Sequence, residues 1–343
     1  MTGALLALCA ALSQPARASS TCESLEHHGR VHRAARAAAR PWADVKAAFL
    51  EVLSAQPKNA SGLRAAEFLR SSHIGLAEAP VADAVGAPAG AEYDPQSKLI
   101  VLDAADLAPL WKAWPNPKSR ARVLKETASR LAPVVVHELA HARLREELGP
   151  VPPFAEEELL ADAEETLYLW GRLDADPDAL GLRKFDALVE PGQRESANWW
   201  KRPVSLDDLA LDRAVEGAEA KFTDQWVSER WRLVRGMGGG YDAFSRTLSD
   251  GGVLEGLSIF SMSDKERRRA LADTRRLRAA HERCLASADA ADRKDLEGWV
   301  ARLSGEELAY EDAGQLKKVA GRYRAVMDTQ RRDLETLRGS AAR

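Results

Sequence analysis

The chain has 343 residues, 45% of them hydrophobic but only 6% aromatic, with 49 Lys and Arg against 52 Asp and Glu. That charge balance excludes the basic signature of a nucleic-acid binder, and the hydrophobic share excludes a chain too polar to build a core. The length exceeds the usual single domain, and the alanine-rich, aromatic-poor composition suits a helical protein of two units.

At the N-terminus, Ala4 to Leu12 is a nine-residue apolar run, followed by Ala16-Arg17-Ala18, an A-x-A cleavage pattern. Residues 1–18 read as a secretory signal peptide cut after Ala18, although no Lys or Arg precedes the core. Its removal takes away Arg17 and Cys9, leaving 48 basic against 52 acidic residues and a net charge of −4. Two cysteines remain, Cys22 and Cys284, and in an oxidising compartment they are expected to pair. His27, His28 and His32 include a four-residue pair, but no acid lies between and Gly29 weakens the helix, so they are not assigned to a metal. No later segment approaches the roughly 18 apolar residues of a membrane span.

The first strand signal is His73 to Ala77, and Ala91 to Asp103 carries a turn signal followed by a β-rich apolar run, which predicts a hairpin. Next comes the sequence His137-Glu138-Leu139-Ala140-His141, with Val134 to Val136 before it and Ala142 after it. On a helix, residues four apart lie about 40° apart around the axis and about 6 Å along it, so both imidazoles reach one metal ion from one face. Glu138 beside them is placed to take a proton from water, the general-base role of a metallopeptidase glutamate. The uncharged surroundings suit a helix buried beneath a site. Arg143 is the misfit, since an apolar residue is expected there.

This helix should stop at Gly149-Pro150, because glycine closes a helix and proline cannot continue one. Val151-Pro152-Pro153 is then the turn, and a second helix runs from near Phe154 through Trp170, antiparallel to the first. At about 1.5 Å per residue the return path reaches the level of His141 near Glu157 or Glu158. Asp162 comes level with His137, where it is placed to accept the imidazole N–H turned away from the metal, and Glu164 and Glu165 overshoot. Spacing favours Glu158 as the third ligand over Glu157, while acidic residues in a first helical turn also serve simply to complement the macrodipole.

HExxH followed by a helix bearing Glu158-Leu159-Leu160-Ala161-Asp162 resembles the gluzincin class of zinc metallopeptidases, in which a Glu-x-x-x-Asp motif supplies the third ligand. The likeness covers about residues 70 to 172. It implies one zinc per chain held by His137, His141 and Glu158, with Glu138 as catalytic base and Asp162 orienting a ligand histidine. It further implies an edge strand before the active helix that pairs with an extended peptide substrate. For the oxyanion-stabilising Tyr or His common in the class there is no matching motif; Tyr168, Tyr241 and His281 are nominees.

Beyond Asp174 to Pro177 the pattern changes. Ser205 to Arg235 reads as helix, and Gly236 to Tyr241 interrupts it as a turn that lacks the Lys-Ser/Thr of a phosphate loop. Trp199-Trp200 is compatible with core or surface. From Ser263 to Arg338, charged clusters alternate with apolar residues at helical spacing, as in Leu316, Val319, Tyr323 and Val326, which predicts a helical hairpin or bundle. Lys265 to Arg269 is expected to be a solvated helix face.

The sequence therefore points to a helix-dominated α+β protein: a signal peptide (1–18), a zincin-like domain with a small sheet (19–176) and a helix-rich C-terminal region (177–343) that shapes the cleft or recruits a protein partner. The expected function is that of an exported, periplasmic or secreted zinc metallopeptidase acting on peptides or proteins, without nucleic acid and without a membrane span. The alternatives are a non-catalytic envelope scaffold that keeps the core for binding, and a zinc hydrolase acting on a non-peptide amide.

Overall fold

A computed structural model describes residues 40–79, 91–95, 97–149, 155–175, 259–260 and 262–341. Two helices, α1 (Trp42–Ser54) and α2 (Ala60–Ser71), lead into strand β1 (Gly75–Ala79) and the hairpin β2 (Ala91–Asp94) and β3 (Leu99–Asp103). Helix α3 (Ala104–Ala113), the long α4 (Pro117–Leu148) and α5 (Ala155–Ala175) follow, and α6 (Asp264–Leu285), α7 (Ala290–Glu311) and α8 (Ala313–Ala341) complete the described chain. The fold is α+β and helix-dominated. The signal-peptide residues, the histidines at 27, 28 and 32, Cys22, the tryptophan pair, the 205–235 segment, the glycine run and the boundary expected near residue 176 lie outside the described residues.

The sheet is mixed, in the order β1-β3-β2. β1 runs parallel to β3 from Gly75↔Leu99 to Ala79↔Asp103, and β2 runs antiparallel to it from Ala91↔Leu102 to Asp94↔Leu99. The expected hairpin and third strand are both present, and β2 is the edge strand nearer α4. Alternation along β3 sends Ile100 and Leu102 into the main core and Val101 to the other face, beside Ala77 and Ala79. The main core joins these strands to Phe49 and Leu53 of α1, Leu69 of α2, and Leu131, Val135 and Leu139 of α4. Each such side chain removed from water contributes about 1.5–3 kcal/mol.

Helix α4 ends at Gly149 as expected, and its start is capped locally. Asn116 accepts from the N–H of Lys118 at 3.0 Å, Pro117 fills the first turn, and Gly149 ends the helix at φ 79° with its N–H on the carbonyl of Arg145.

A second core gathers Leu144 and Leu148 of α4, Leu160 of α5, Tyr310 of α7, and Leu316, Val319, Tyr323 and Met327 of α8. The expected C-terminal bundle is thus three helices, and it packs against the motif helices. Ser263 starts α6 with a reciprocal cap to Glu266. In the basic run Lys265, Arg268 and Arg269 are exposed as expected, but Arg267 turns inward and donates to the carbonyls of Tyr310 and Glu311, which end α7. Among the described residues no helix is long and apolar enough to cross a membrane.

Candidate metal centre

One turn before His137, α4 contains Pro133, which has no N–H to give to the carbonyl of Ser129. Arg172, reaching across from α5, donates to that carbonyl at 2.7 Å and to Ser129 Oγ at 2.8 Å. This buried arginine replaces the missing helix hydrogen bond and ties the two motif helices together. At the N-terminus of α2, Asn59 donates to the carbonyl of Tyr168, and a Cβ on Gly62 would meet the Leu53 carbonyl at 2.8 Å and the Tyr168 ring at 3.1 Å. These contacts bring α2 and α5 close together.

Glu164 is the hub between the motif helices and their neighbours. It is fully buried and accepts from Ser61, Arg64 and Arg143, with Gln330 of α8 at 3.3 Å. Arg143, the misfit in the motif helix, is explained by this pair. Burial pushes the Glu164 carboxyl up, but the charges of Arg64 and Arg143 outweigh it and hold the group below the usual carboxylate range.

The two motif histidines converge. Their Nε2 atoms are 3.0 Å apart, and the opposite edge of each ring faces a glutamate of α5. His141 Nδ1 is 2.9 Å from Glu157 Oε1, and His137 Nδ1 is 3.6 Å from Glu165 Oε2, too long for a direct hydrogen bond. Glu157 also accepts from Arg145 Nε at 2.9 Å. Burial raises the Glu157 carboxyl, but the His141 hydrogen bond and the Arg145 charge overcome it and keep the group ionised. The 3.0 Å between the Nε2 atoms is met by the N–H of one ring donating to the other, and it is also close to the spacing of two nitrogens on one cation. Two nitrogens on one tetrahedral zinc stand about 3.3 Å apart.

Glu138, 8% exposed, accepts the Tyr93 backbone N–H at 2.7 Å, so the motif glutamate is held against edge strand β2. Glu138, Glu157 and Glu165 are all buried, and Arg145 pairs with Glu157. Buried carboxylates beside two imidazoles are the donor types that suit a divalent cation. Among the described residues no three His, Cys, Asp or Glu side chains form a complete cage. The side chains of Glu158 and Asp162 lie outside the described residues, although both positions are on α5.

Glu165 corrects the expectation that it overshoots. Helical side chains lean toward the N-terminus of their own helix, so a residue past the level of His137 reaches back to it. The i+7 spacing from Glu158 to Glu165, which places both on one face, was the available signal. Of the oxyanion nominees, Tyr168 is buried in the main core, with Arg172 over its ring. His281 hydrogen-bonds the Leu277 carbonyl of its own helix and lies against Trp299. Tyr241 lies outside the described residues. Cys284 is disulfide-bonded, while Cys9 and Cys22 lie outside the described residues.

Comparison of the chain with protein-family models, curated proteins and solved structures returned no match.

Proposed function

We propose that this chain is an exported, zinc-dependent metallopeptidase with a zincin-like core. The observation that carries the reading is the pair of Nε2 atoms 3.0 Å apart, each imidazole backed by a glutamate of the antiparallel helix. Carboxylates behind ligating histidines set the tautomer and the ring orientation. His137 and His141 would hold the ion, with Glu158 as third protein ligand on the family resemblance. Zinc in such a site supplies Lewis-acid chemistry, activating a water and polarising a carbonyl.

Glu138 is the base. It takes the proton of the attacking water and passes it to the leaving amine as the peptide bond breaks. The Tyr93 N–H on Glu138 Oε2 fixes the orientation of the carboxylate beside the histidines. Edge strand β2 beside Glu138 is the surface on which an extended peptide would pair.

The test joins metal content to catalysis. Protein purified without chelator or affinity metal should carry about one zinc per chain by elemental mass spectrometry. Glu138→Gln should keep the zinc and lose hydrolysis of a broad peptide library. Zinc-free folded protein after metal addition, or retained turnover in Glu138→Gln, would refute the reading.

A further inference from the structure

Tyr93 gives its backbone N–H to Glu138 rather than to β3, so Tyr93↔Ile100 is a non-hydrogen-bonded pair of the antiparallel ladder. The main-chain groups of Tyr93 and Ala91 therefore point out of the sheet, and those of Glu92 and Asp94 point to β3. Because β3 lies between β1 and β2, that outer side of β2 is an edge of the sheet. A peptide extended along this edge meets the main-chain groups of Ala91 and the Tyr93 carbonyl beside Glu138.

Side chains alternate along β2. Tyr93 enters the main core, while Glu92 stands on the other face, opposite Val101, which packs with Ala77 and Ala79. Glu92 is half-buried, and among the described residues no hydrogen bond or ion pair engages it. Asp94 on the same face accepts from Ser97, and the single cation of the hairpin, Lys98, pairs instead with Glu146 at 3.4 Å. Burial and the neighbouring Asp94 charge push the Glu92 carboxyl up to about 7. A carboxylate held without a counter-charge at a sheet edge is complementary to a cation carried by the strand that pairs there.

On a strand paired with β2, the residue opposite Glu92 places its side chain on the same face, about 5 Å away between Cβ atoms. Glu138 is bonded to Tyr93, one residue along, and so sets the attacked bond about 3.3 Å along the strand from the Glu92 position. We propose that Glu92 is a specificity-determining residue, which selects peptides carrying Lys or Arg within about two residues of the bond under attack. The inference rests on the metallopeptidase reading and names the substrate class of that site.

The experiment uses the full-length Glu138→Gln protein, whose side-chain amide can still accept the Tyr93 N–H, with its zinc content measured in the same sample. Fluorescein-labelled peptides of one neutral sequence, with Lys, Gln or Glu placed in turn at each central position, are compared by anisotropy. At one position the Lys peptide should bind about tenfold tighter than the Gln peptide, and the Glu peptide more weakly than both. Adding Glu92→Gln, which removes no contact among the described residues, should bring the Lys peptide to the affinity of the Gln peptide and leave the Gln peptide unchanged. Glu92→Lys should reverse the order of the Lys and Glu peptides. Equal binding of Lys and Gln peptides at every position, no binding of any peptide, or a preference that survives Glu92→Gln overturns the inference. A Lys preference in zinc-free protein upholds the role of Glu92 and refutes the metal reading, and bound zinc without a preference does the reverse.

Discussion

Glu164 shows how much a single side chain decides here. Its carboxylate is enclosed and joins α2, α4 and α8 through Ser61, Arg64, Arg143 and Gln330. Replacing it with Gln leaves two arginines without their shared counter-charge, and breaking a buried pair in this way costs about 3–5 kcal/mol. Glu164→Gln should therefore lower the denaturant midpoint at neutral pH. The same group carries a pH signature. Its folded pKa lies below the unfolded value of about 4.3, so its contribution is complete above that pH and is lost as pH falls through the folded pKa. Thermal stability of the parent protein should drop below about pH 4.3, and Glu164→Gln should flatten the drop; an unchanged profile would remove Glu164 as a cause.

At the scale of the element, α4 is a helix interrupted in its own hydrogen bonding and repaired from outside. Pro133 leaves the Ser129 carbonyl without its helical donor, and Arg172 supplies two bonds there. Arg172→Ala should cost about 1–3 kcal/mol through the orphaned acceptors. In a Pro133→Ala background, where the helix N–H is restored, the cost should shrink, and a double-mutant cycle by urea denaturation measures the coupling. The α2–α5 approach is equally specific. Gly62→Ala places a methyl group 2.8 Å from the Leu53 carbonyl, and the overpacking should cost about 1–3 kcal/mol, read as a lower denaturant midpoint. Much of α4 is legible in the chain itself, because Asn116-Pro117 and Gly149 are local stop and start chemistry. The partner of Arg143 is not, because Glu164 is brought to it only by the packing of another helix.

For the whole molecule, the C-terminal helices and the motif helices share one apolar cluster, with Leu144, Leu148 and Leu160 on one side and Tyr310, Leu316 and Tyr323 on the other. A chain cut to residues 19–176 would expose the first three, so it should unfold without a cooperative thermal transition, whereas the full chain should show one. A sharp transition in the cut chain would make the motif region an independent domain. The amino-acid order by itself determined the hairpin, the end of α4, the start of α5 and the spacing that puts His137 and His141 on one face, since each depends on caps, turns and periodicity within a few residues. Only the tertiary structure decided that Glu157 and Glu165 stand behind those rings, that Glu138 meets β2, and that Glu164 reaches Arg143. Those contacts join residues from different elements, and their distances follow from how helices and strands pack, which no local pattern encodes.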